Sequence, residues 1–526
     1  MNHLSRRNRL TGTIGCTLLL GAGIAFAETT LTRAVPAKQG QMLTVNMMIV
    51  SQEREKSEVV NNLEYLSDMI GPRLTGSQRL LDANRWTAEK MKEYGLQNVM
   101  LEPYTIPQGW ERNRCEAHIV SPVNVKLHVD QGAWTPGTRG KVKGTVVIFA
   151  PRNEADLEAM KGKRKGATVV DTPPANNYMR GGVLPGGTPP PPIPAFEKSP
   201  LTQLPKTAER VLSGMEMEDD QQPPPARRNG VGGFMAFRRK LSEFMQKEGV
   251  LATLRVSEKP QDLQNMTGSW SAQSKIPVLF ITQEHIALIY RLMKRNLPVE
   301  IEVNAGGRFT KGPVTVYNTV GEIPGTDKAN EIVLLGAHLD SWDLGQGSTD
   351  NGTGSCVVLE TARLFHALNL KPRRTVRFVL FSGEEQGLYG SAAYVESHKA
   401  EMSRFSVVFV HDTGTGRVKG AWLQGRSEVQ PLLEKEFDNL QALGLLTEKA
   451  KFFPGKMNGT DHASFDDAGV PAFAFYQDSA EYSLTHHSQS DTFDKVRPND
   501  LKQGACVMAI LAYNASTRDE AYPRKP

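Results

Sequence analysis

The apolar positions of this chain change period several times. From about residue 48 to 98, Val59, Leu63, Leu66, Met69 and Ile70 recur at helical spacing, and Trp86, Met91 and Tyr94 continue the pattern. That spacing predicts helices, interrupted at Gly71-Pro72. Between about 115 and 150 the pattern becomes strand-like, in His118-Ile-Val120, Val125 to Val129 and Gly144-Thr-Val-Val-Ile-Phe-Ala150. Residues 182–226 carry Pro189-Pro-Pro-Pro-Ile-Pro194 and Pro223-Pro-Pro225, a composition that predicts an exposed polyproline-type excursion. Helix and strand signals resume over 235–303, as in Ile276-Pro-Val-Leu-Phe-Ile281 followed by Glu284 to Lys294.

The last third reads differently. Four short apolar runs, Ile332-Val-Leu-Leu335, Val376 to Phe381, Val407 to Val410 and Ala472-Phe-Ala-Phe475, have the character of parallel strands buried on both faces. Helical patterns lie between them: Val357, Val358, Thr361, Leu364, Phe365 and Leu368, then Val429, Leu432, Leu433, Glu436, Phe437 and Leu440. The alternation predicts an α/β domain with a mixed, mostly parallel central sheet and helices on both faces.

Composition narrows the class. A chain of 526 residues exceeds one ordinary core, so two domains plus export and linker segments are expected. Hydrophobic residues at 39% and charged residues at 23% fit a soluble globular protein. Sixty-two basic residues nearly balance 57 acidic ones, which gives no nucleic-acid surface; Lys161-Gly-Lys-Arg-Lys165 reads as a solvated loop. Arg6, Arg7 and Arg9 precede a small, apolar stretch from Leu10 to Ala27 that ends in Ala25-Phe-Ala27, a cleavage signal. Residues 1–27 are therefore read as a signal peptide. The mature protein is expected to be periplasmic or secreted, with no membrane attachment after cleavage. Three cysteines then remain, Cys115, Cys356 and Cys506, which allow at most one disulfide and offer no Cys-x-x-Cys zinc site. Any metal must be held by His and carboxylate side chains.

Three of the four strand-like runs end in such residues. They lead into Gly336-Ala-His-Leu-Asp340, Ser382-Gly-Glu-Glu385 and His411-Asp412. Ligand sites of open α/β sheets lie beyond the carboxyl ends of the strands, so these residues are expected to converge. Ser348-Thr-Asp-Asn-Gly-Thr-Gly354 leads into a helix, and Asp350 there is either a cap or a ligand. His486-His487-Ser-Gln-Ser-Asp-Thr492 adds a histidine pair in a polar loop. Two divalent ions about 3.5–4 Å apart share a carboxylate, polarise a carbonyl and acidify water, while a separate base takes the water's proton. Adjacent Glu384 and Glu385 suit that division, because Gly383 lets the chain bend where the strand ends. The residues alone leave open which glutamate does which, and whether His486 or His487 binds.

Taken as an ordered set, Gly336-Ala-His-Leu-Asp-Ser341, Asp350-Asn-Gly-Thr-Gly354, Ser382-Gly-Glu-Glu-Gln-Gly387, Asp412 and His487-Ser-Gln-Ser-Asp-Thr492 resemble the co-catalytic zinc exopeptidase family of bacterial leucyl aminopeptidases and glutamate carboxypeptidases. His338-Leu-Asp-Ser-Trp-Asp-Leu-Gly-Gln-Gly347 and Asp412-Thr-Gly-Thr415 most resemble its carboxypeptidase Q branch. Ile70-Gly-Pro-Arg-Leu-Thr-Gly-Ser77 and Thr460-Asp-His-Ala-Ser-Phe465 resemble further family elements. The resemblance spans about 55–120 and 306–515. It implies two Zn2+ per chain, with His338 on one and His487 on the other, Asp350 bridging, and Glu385 and Asp412 completing one set each. It also implies Glu384 as general acid/base and Asp340 orienting His338.

The resulting layout is a signal peptide over 1–27, a first part of the catalytic domain over 28–120, an inserted domain over 121–305 that resembles a protease-associated domain, and the main catalytic part over 306–526. The expected activity is exopeptidase action on short peptides, of aminopeptidase or dipeptidase type, with a homodimer kept open. Carboxypeptidase action is the alternative, and Arg426 is a candidate to grip a terminal carboxylate, or else a surface residue. A glutaminyl cyclase-like zinc enzyme and a non-catalytic binding module are more distant alternatives.

Overall fold

The computed structural model describes residues 37–149, 151, 153–171, 228–272 and 274–525. The expected signal peptide and the proline-rich excursion over 182–226 lie outside the described residues. Two compact units are distinguished, Met1–Thr44 and Val45–Pro526. Of the first, only the opening turns of the helix Ala37–Lys56 are described. Both large sheets belong to the second.

The main sheet has eight strands. In spatial order they are Gln97–Ile106, Val314–Ile323, Arg374–Phe381, Lys328–His338, Phe405–Val410, Ala472–Gln477, Val418–Trp422 and Lys451–Phe453. The four apolar runs form its centre and are mutually parallel, while the flanking strands add antiparallel pairs. Their buried character follows from the two-residue period of a strand. Val333, Leu335 and Ala337 point into one core with Val357, Phe365 and Met508, and Ile332 and Leu334 point into the other with Tyr394, Met402 and Phe465. Helices Thr353–Ala367 and Pro498–Thr517 supply the first core, and Tyr389–Ser397 and His462–Asp467 the second. A mixed α/β sheet with helices on both faces is thus present. Where the apolar period predicts helices over 48–98, the chain forms Ala37–Lys56, Val59–Glu64 and Gln78–Glu93. Between the last two lies a single wide turn, Tyr65–Ile70, that stops at Gly71.

A second sheet, also of eight strands, is built from residues between Cys115 and Ala305. Its first long strand, Cys115–Ser121, pairs antiparallel with its last, Glu300–Ala305. The chain enters and leaves this sheet through adjacent segments, Trp110–Glu111 and Arg308–Phe309, which pair with each other.

The strand ends are held in register. His338 lies opposite Phe381, and Gly336 opposite Val410, so the segments beyond all three strands start at one edge of the sheet. Arg73, from the Gly-Pro-Arg break, is fully buried beneath that edge. Its guanidinium donates to the carbonyl oxygens of Leu339 at 2.6 Å, Gly71 at 3.0 Å, Gln346 at 2.9 Å and Gly347 at 2.6 Å. One side chain therefore ties the end of the first helical region to two loops of the main sheet. Arg73→Met strands several buried carbonyls, each at about 1–3 kcal/mol, so unfolding free energy is expected to fall by about 3 kcal/mol or more. Arg73→Lys is expected to recover little of this, because an ammonium cannot span a guanidinium's fork of donors. Urea denaturation of both variants checks this; midpoints equal to the unsubstituted protein's would count against it.

Candidate metal centre

Beyond the Lys328–His338 strand, His338 turns its Nε2 toward Asp412 Oδ1 at 3.2 Å and Asp350 Oδ1 at 3.4 Å. The other oxygen of Asp350 faces His487 Nε2 at 3.5 Å, and His487 Nε2 lies 2.9 Å from Glu385 Oε2. Asp350 thus stands between two imidazoles, one oxygen to each. Two groups, His338–Asp350–Asp412 and Asp350–His486–His487, each bring three donor atoms within 4.8 Å of one another. All five positions expected to bind metal are gathered here.

Local backbone explains how Asp350 is free to face inward. The helix Thr353–Ala367 is entered through Asp350 and Asn351, whose φ/ψ angles are non-helical. Asn351 Oδ1 accepts from Gly354 N–H at 2.9 Å, and Asn351 Nδ2 donates to the His411 carbonyl at 2.9 Å. Asn351 therefore does the capping that the sequence also allows for Asp350. Asp491, which sequence reasoning passes over, holds this loop: it accepts from Thr349 N–H at 2.6 Å, Thr349 Oγ1 at 2.8 Å and Asp350 N–H at 3.2 Å. Its place in the His487-Ser-Gln-Ser-Asp-Thr motif is the available signal. Burial pushes its carboxyl up to about 7.

The two glutamates diverge as the strand Arg374–Phe381 ends. Gly383 takes φ +78°, and a side chain there would run into the Tyr104 hydroxyl. Glu384 Oε2 lies 4.0 Å from His338 Nε2, whereas Glu385 faces His487. Asp340 sits under this turn. Its carboxylate accepts from Thr75 Oγ1 at 2.8 Å and stands 3.3 and 3.4 Å from the N–H groups of Glu384 and Glu385. His338 Nδ1 donates to the Asp340 carbonyl oxygen at 2.9 Å, with the carboxyl Oδ1 at 3.6 Å. The Asp340 carbonyl holds the ring, its carboxylate stands beside the same nitrogen, and that carboxylate also shapes the Glu384–Glu385 turn.

The neighbours of these residues sort themselves out. His411, although next to Asp412, is buried edge-on against Phe475. His486 is partly exposed, stacks on His487 at 3.6 Å between ring centroids and lies 3.9 Å from Asp350 Oδ2. Arg426 is neither a surface residue nor a grip for a substrate carboxylate. It is wholly buried and donates to Asp466 Oδ1 at 2.8 and 3.1 Å and to the Val470 carbonyl at 2.9 Å. Asp461, from the Thr-Asp-His element, is buried close enough to feel His338, and burial pushes it up to about 7.

Glu384, Glu385 and His487 have shifted proton affinities with clear causes. Burial raises the proton affinity of Glu384 and Glu385 well above the usual carboxylate range, and nearby Asp412 and Asp350 add to it. Burial pulls the His487 imidazole down to about 4, against the attraction of Asp350, which keeps it in the neutral form a metal needs. Asp350 Oδ2 and Glu385 Oε1 are buried without hydrogen-bond donors. Enclosed carboxylate oxygens of this kind call for a partner, and His nitrogen with carboxylate oxygen is a donor set that zinc accepts.

Known proteins agree with this arrangement. Residues 318–512 match the family model described as Peptidase family M28. The chain is 29% identical over 482 residues to Carboxypeptidase Q of Mus musculus, covering 91% of this chain and 90% of that one. Leupeptin-inactivating enzyme 1 of Streptomyces exfoliatus is 35% identical over 231 residues, 40% of this chain and 51% of that one. The structure of a peptidase M28 precursor from Shewanella amazonensis superposes with a TM-score of 0.71 at 25% identity, covering 93% of this chain and 99% of that one. A zinc aminopeptidase from Bacillus subtilis shares the fold at 18% identity and a TM-score of 0.59, over 88% of this chain and 96% of that one. Matching sequence, shared fold and two donor clusters joined at one aspartate lead to one conclusion: residues 318–512 carry the Peptidase family M28 match, and the site they build is that of a zinc exopeptidase.

Proposed function

We propose that the chain hydrolyses short peptides from the amino-terminal end, or as dipeptides, with Glu384 as general acid/base. The meeting of His338, Asp350, Glu385, Asp412 and His487 around Asp350 carries this reading. His338 and Asp412 would hold one zinc and His487 and Glu385 the other, with Asp350, one oxygen toward each imidazole, available to both. When bound, such a pair supplies Lewis-acid polarisation of the scissile carbonyl and makes water more acidic. Glu384 is the carboxylate left over. Its raised proton affinity suits a group that takes a proton from the attacking water and returns it to the departing amine. Asp340 holds the turn that aims Glu384, and Asp491 holds the backbone that aims Asp350.

Carboxypeptidase action is the second reading. It is favoured by the name carried by relatives that match over nine-tenths of this chain. The engagement of Arg426 with Asp466 removes one candidate for recognising a terminal carboxylate. We read the second sheet as an inserted, protease-associated-like domain over 121–305, extended to include Cys115–Ser121. The leader over 1–27 directs export to the periplasm or beyond. No helix among the described residues is long and apolar enough to cross a membrane.

Three measurements test this reading. Chelator treatment is expected to abolish hydrolysis of short peptides, and added zinc to restore it; undiminished turnover by metal-stripped protein would refute the two-ion centre. Glu384→Gln is expected to lower kcat by about 10²–10⁴ while zinc content, read by plasma mass spectrometry, stays unchanged. Peptides blocked by N-acetylation are expected to resist, and C-amidated peptides to be trimmed; the opposite pattern establishes the carboxypeptidase reading.

A further inference from the structure

A third donor cluster lies apart from the metal centre. His128, between the strands Val125–Leu127 and Val129–Gln131, meets Asp262 from the loop after Ala252–Val256 and His285 from the helix Gln283–Lys294. One donor atom from each lies within 4.8 Å of the others. His128 Nδ1 contacts Asp262 Oδ2 directly. That pair alone makes one hydrogen bond and leaves the rest of the cluster unexplained. Asp262 Oδ1 is enclosed without a hydrogen-bond donor and faces His285 Nδ1 at 4.0 Å. His285 Nδ1 accepts a long hydrogen bond from the His128 backbone N–H at 3.3 Å, which identifies it as the unprotonated ring nitrogen, whose lone pair a metal would take over from that N–H. Thr282 Oγ1, 3.0 Å from the same nitrogen, steadies the ring. Glu284 Oε1 accepts from Asp262 N–H at 3.2 Å, and its Oε2 is likewise enclosed without a donor. Gln261 and Asp262 both adopt positive φ, +61° and +59°, a conformation that costs energy in residues other than glycine. The loop accepts that cost to deliver the Asp262 carboxylate between two imidazoles.

The same loop reaches the metal centre. Met266 N–H donates to the His487 carbonyl at 2.7 Å, and Gln264 N–H to Gln489 Oε1 at 2.7 Å. Gln489 Nε2 donates back to the Asp262 carbonyl at 3.2 Å, and Lys259 Nζ to the Ser483 carbonyl at 2.6 Å. Residues 259–266 are therefore a brace between the cluster and the loop that carries His487.

We propose that His128, Asp262 and His285 form a further divalent-metal site, of a class that takes zinc, which fixes the 259–266 brace against the His487 loop. Two imidazoles and one carboxylate are a borderline-soft set that favours zinc over calcium or magnesium. The exposure of His128 and Asp262, with side chains 54% and 41% accessible, leaves room for water to complete the coordination. The role is structural, so occupancy and catalysis are separable.

The test uses full-length protein carrying His338→Ala and His487→Ala, which disables the centre assigned above. Zinc is titrated against a chromophoric chelator. This protein is expected to retain about one zinc per chain, and adding His128→Ala or Asp262→Asn is expected to abolish that binding. Circular dichroism on each variant shows whether the fold is kept; Asp262→Asn covers the case in which His128→Ala fails to fold. Zinc is also expected to slow hydrogen exchange at the Gln264 and Met266 amides. Equal zinc retention with and without His128 and Asp262 would overturn the site, and binding with unchanged exchange would overturn the brace. Neither outcome depends on peptide hydrolysis, so failure here is distinguishable from failure of the catalytic assignment.

Discussion

Crowding negative charge behind the ends of parallel strands is the constraint on which this structure turns. Two carboxylates 4 Å apart repel by about 4 kcal/mol at an effective dielectric of 20. Asp340, Asp350, Glu384, Glu385, Asp412, Asp461 and Asp491 share one region, most of them deeply buried. The fold answers in two ways. Asp340 and Asp491 are turned toward backbone N–H groups and threonine hydroxyls, which give their oxygens hydrogen-bond donors. Asp350 and Glu385 instead keep an oxygen free of donors and point at imidazoles. The first kind builds the frame, and the second kind presents the face on which divalent cations belong.

The frame is mostly hydrogen bonding between loops distant in sequence. Arg73 gathers four carbonyls, Asp491 pins the Thr349–Asp350 turn, and Asn351 caps the helix Thr353–Ala367. Each of these relieves a neighbour of a structural duty. Because Asn351 caps, Asp350 need not; because the Asp340 carbonyl holds the His338 ring, the Asp340 carboxylate can organise Glu384 and Glu385. The chemistry assigned to the five ligand-type residues depends on this division of labour.

Much of this is legible in the chain. Apolar runs bounded by glycine and acidic residues mark the central strands, and the rule that ligands gather beyond strand ends brings His338, Glu385 and Asp412 together without any fold in hand. Arg426 misleads because a lone arginine beside Gly425 looks exposed, while its burial depends on Asp466, forty residues away. Arg73 is invisible as a brace for the same reason: carbonyl acceptors leave no trace in side-chain identity. Residues 259–266 give no signal at all, since their contacts to the His487 loop run to backbone carbonyls and to the side chain of Gln489, more than two hundred residues away. Periodicity reports which face a residue occupies, but not which distant main chain it will meet.

The paired crossings at Trp110–Glu111 and Arg308–Phe309 bear on how the protein is made. The strand Gln97–Ile106 leaves the ribosome long before its partner Val314–Ile323, and the whole second sheet is synthesised in between. Holding that interval closed costs little, because loop entropy grows only with the logarithm of length. The order of events is nevertheless imposed: the second sheet can complete its pairing during translation, while the first strand of the main sheet waits unpaired. Nascent chains of this protein therefore carry an open strand edge through much of their synthesis, the kind of surface that chaperones shield.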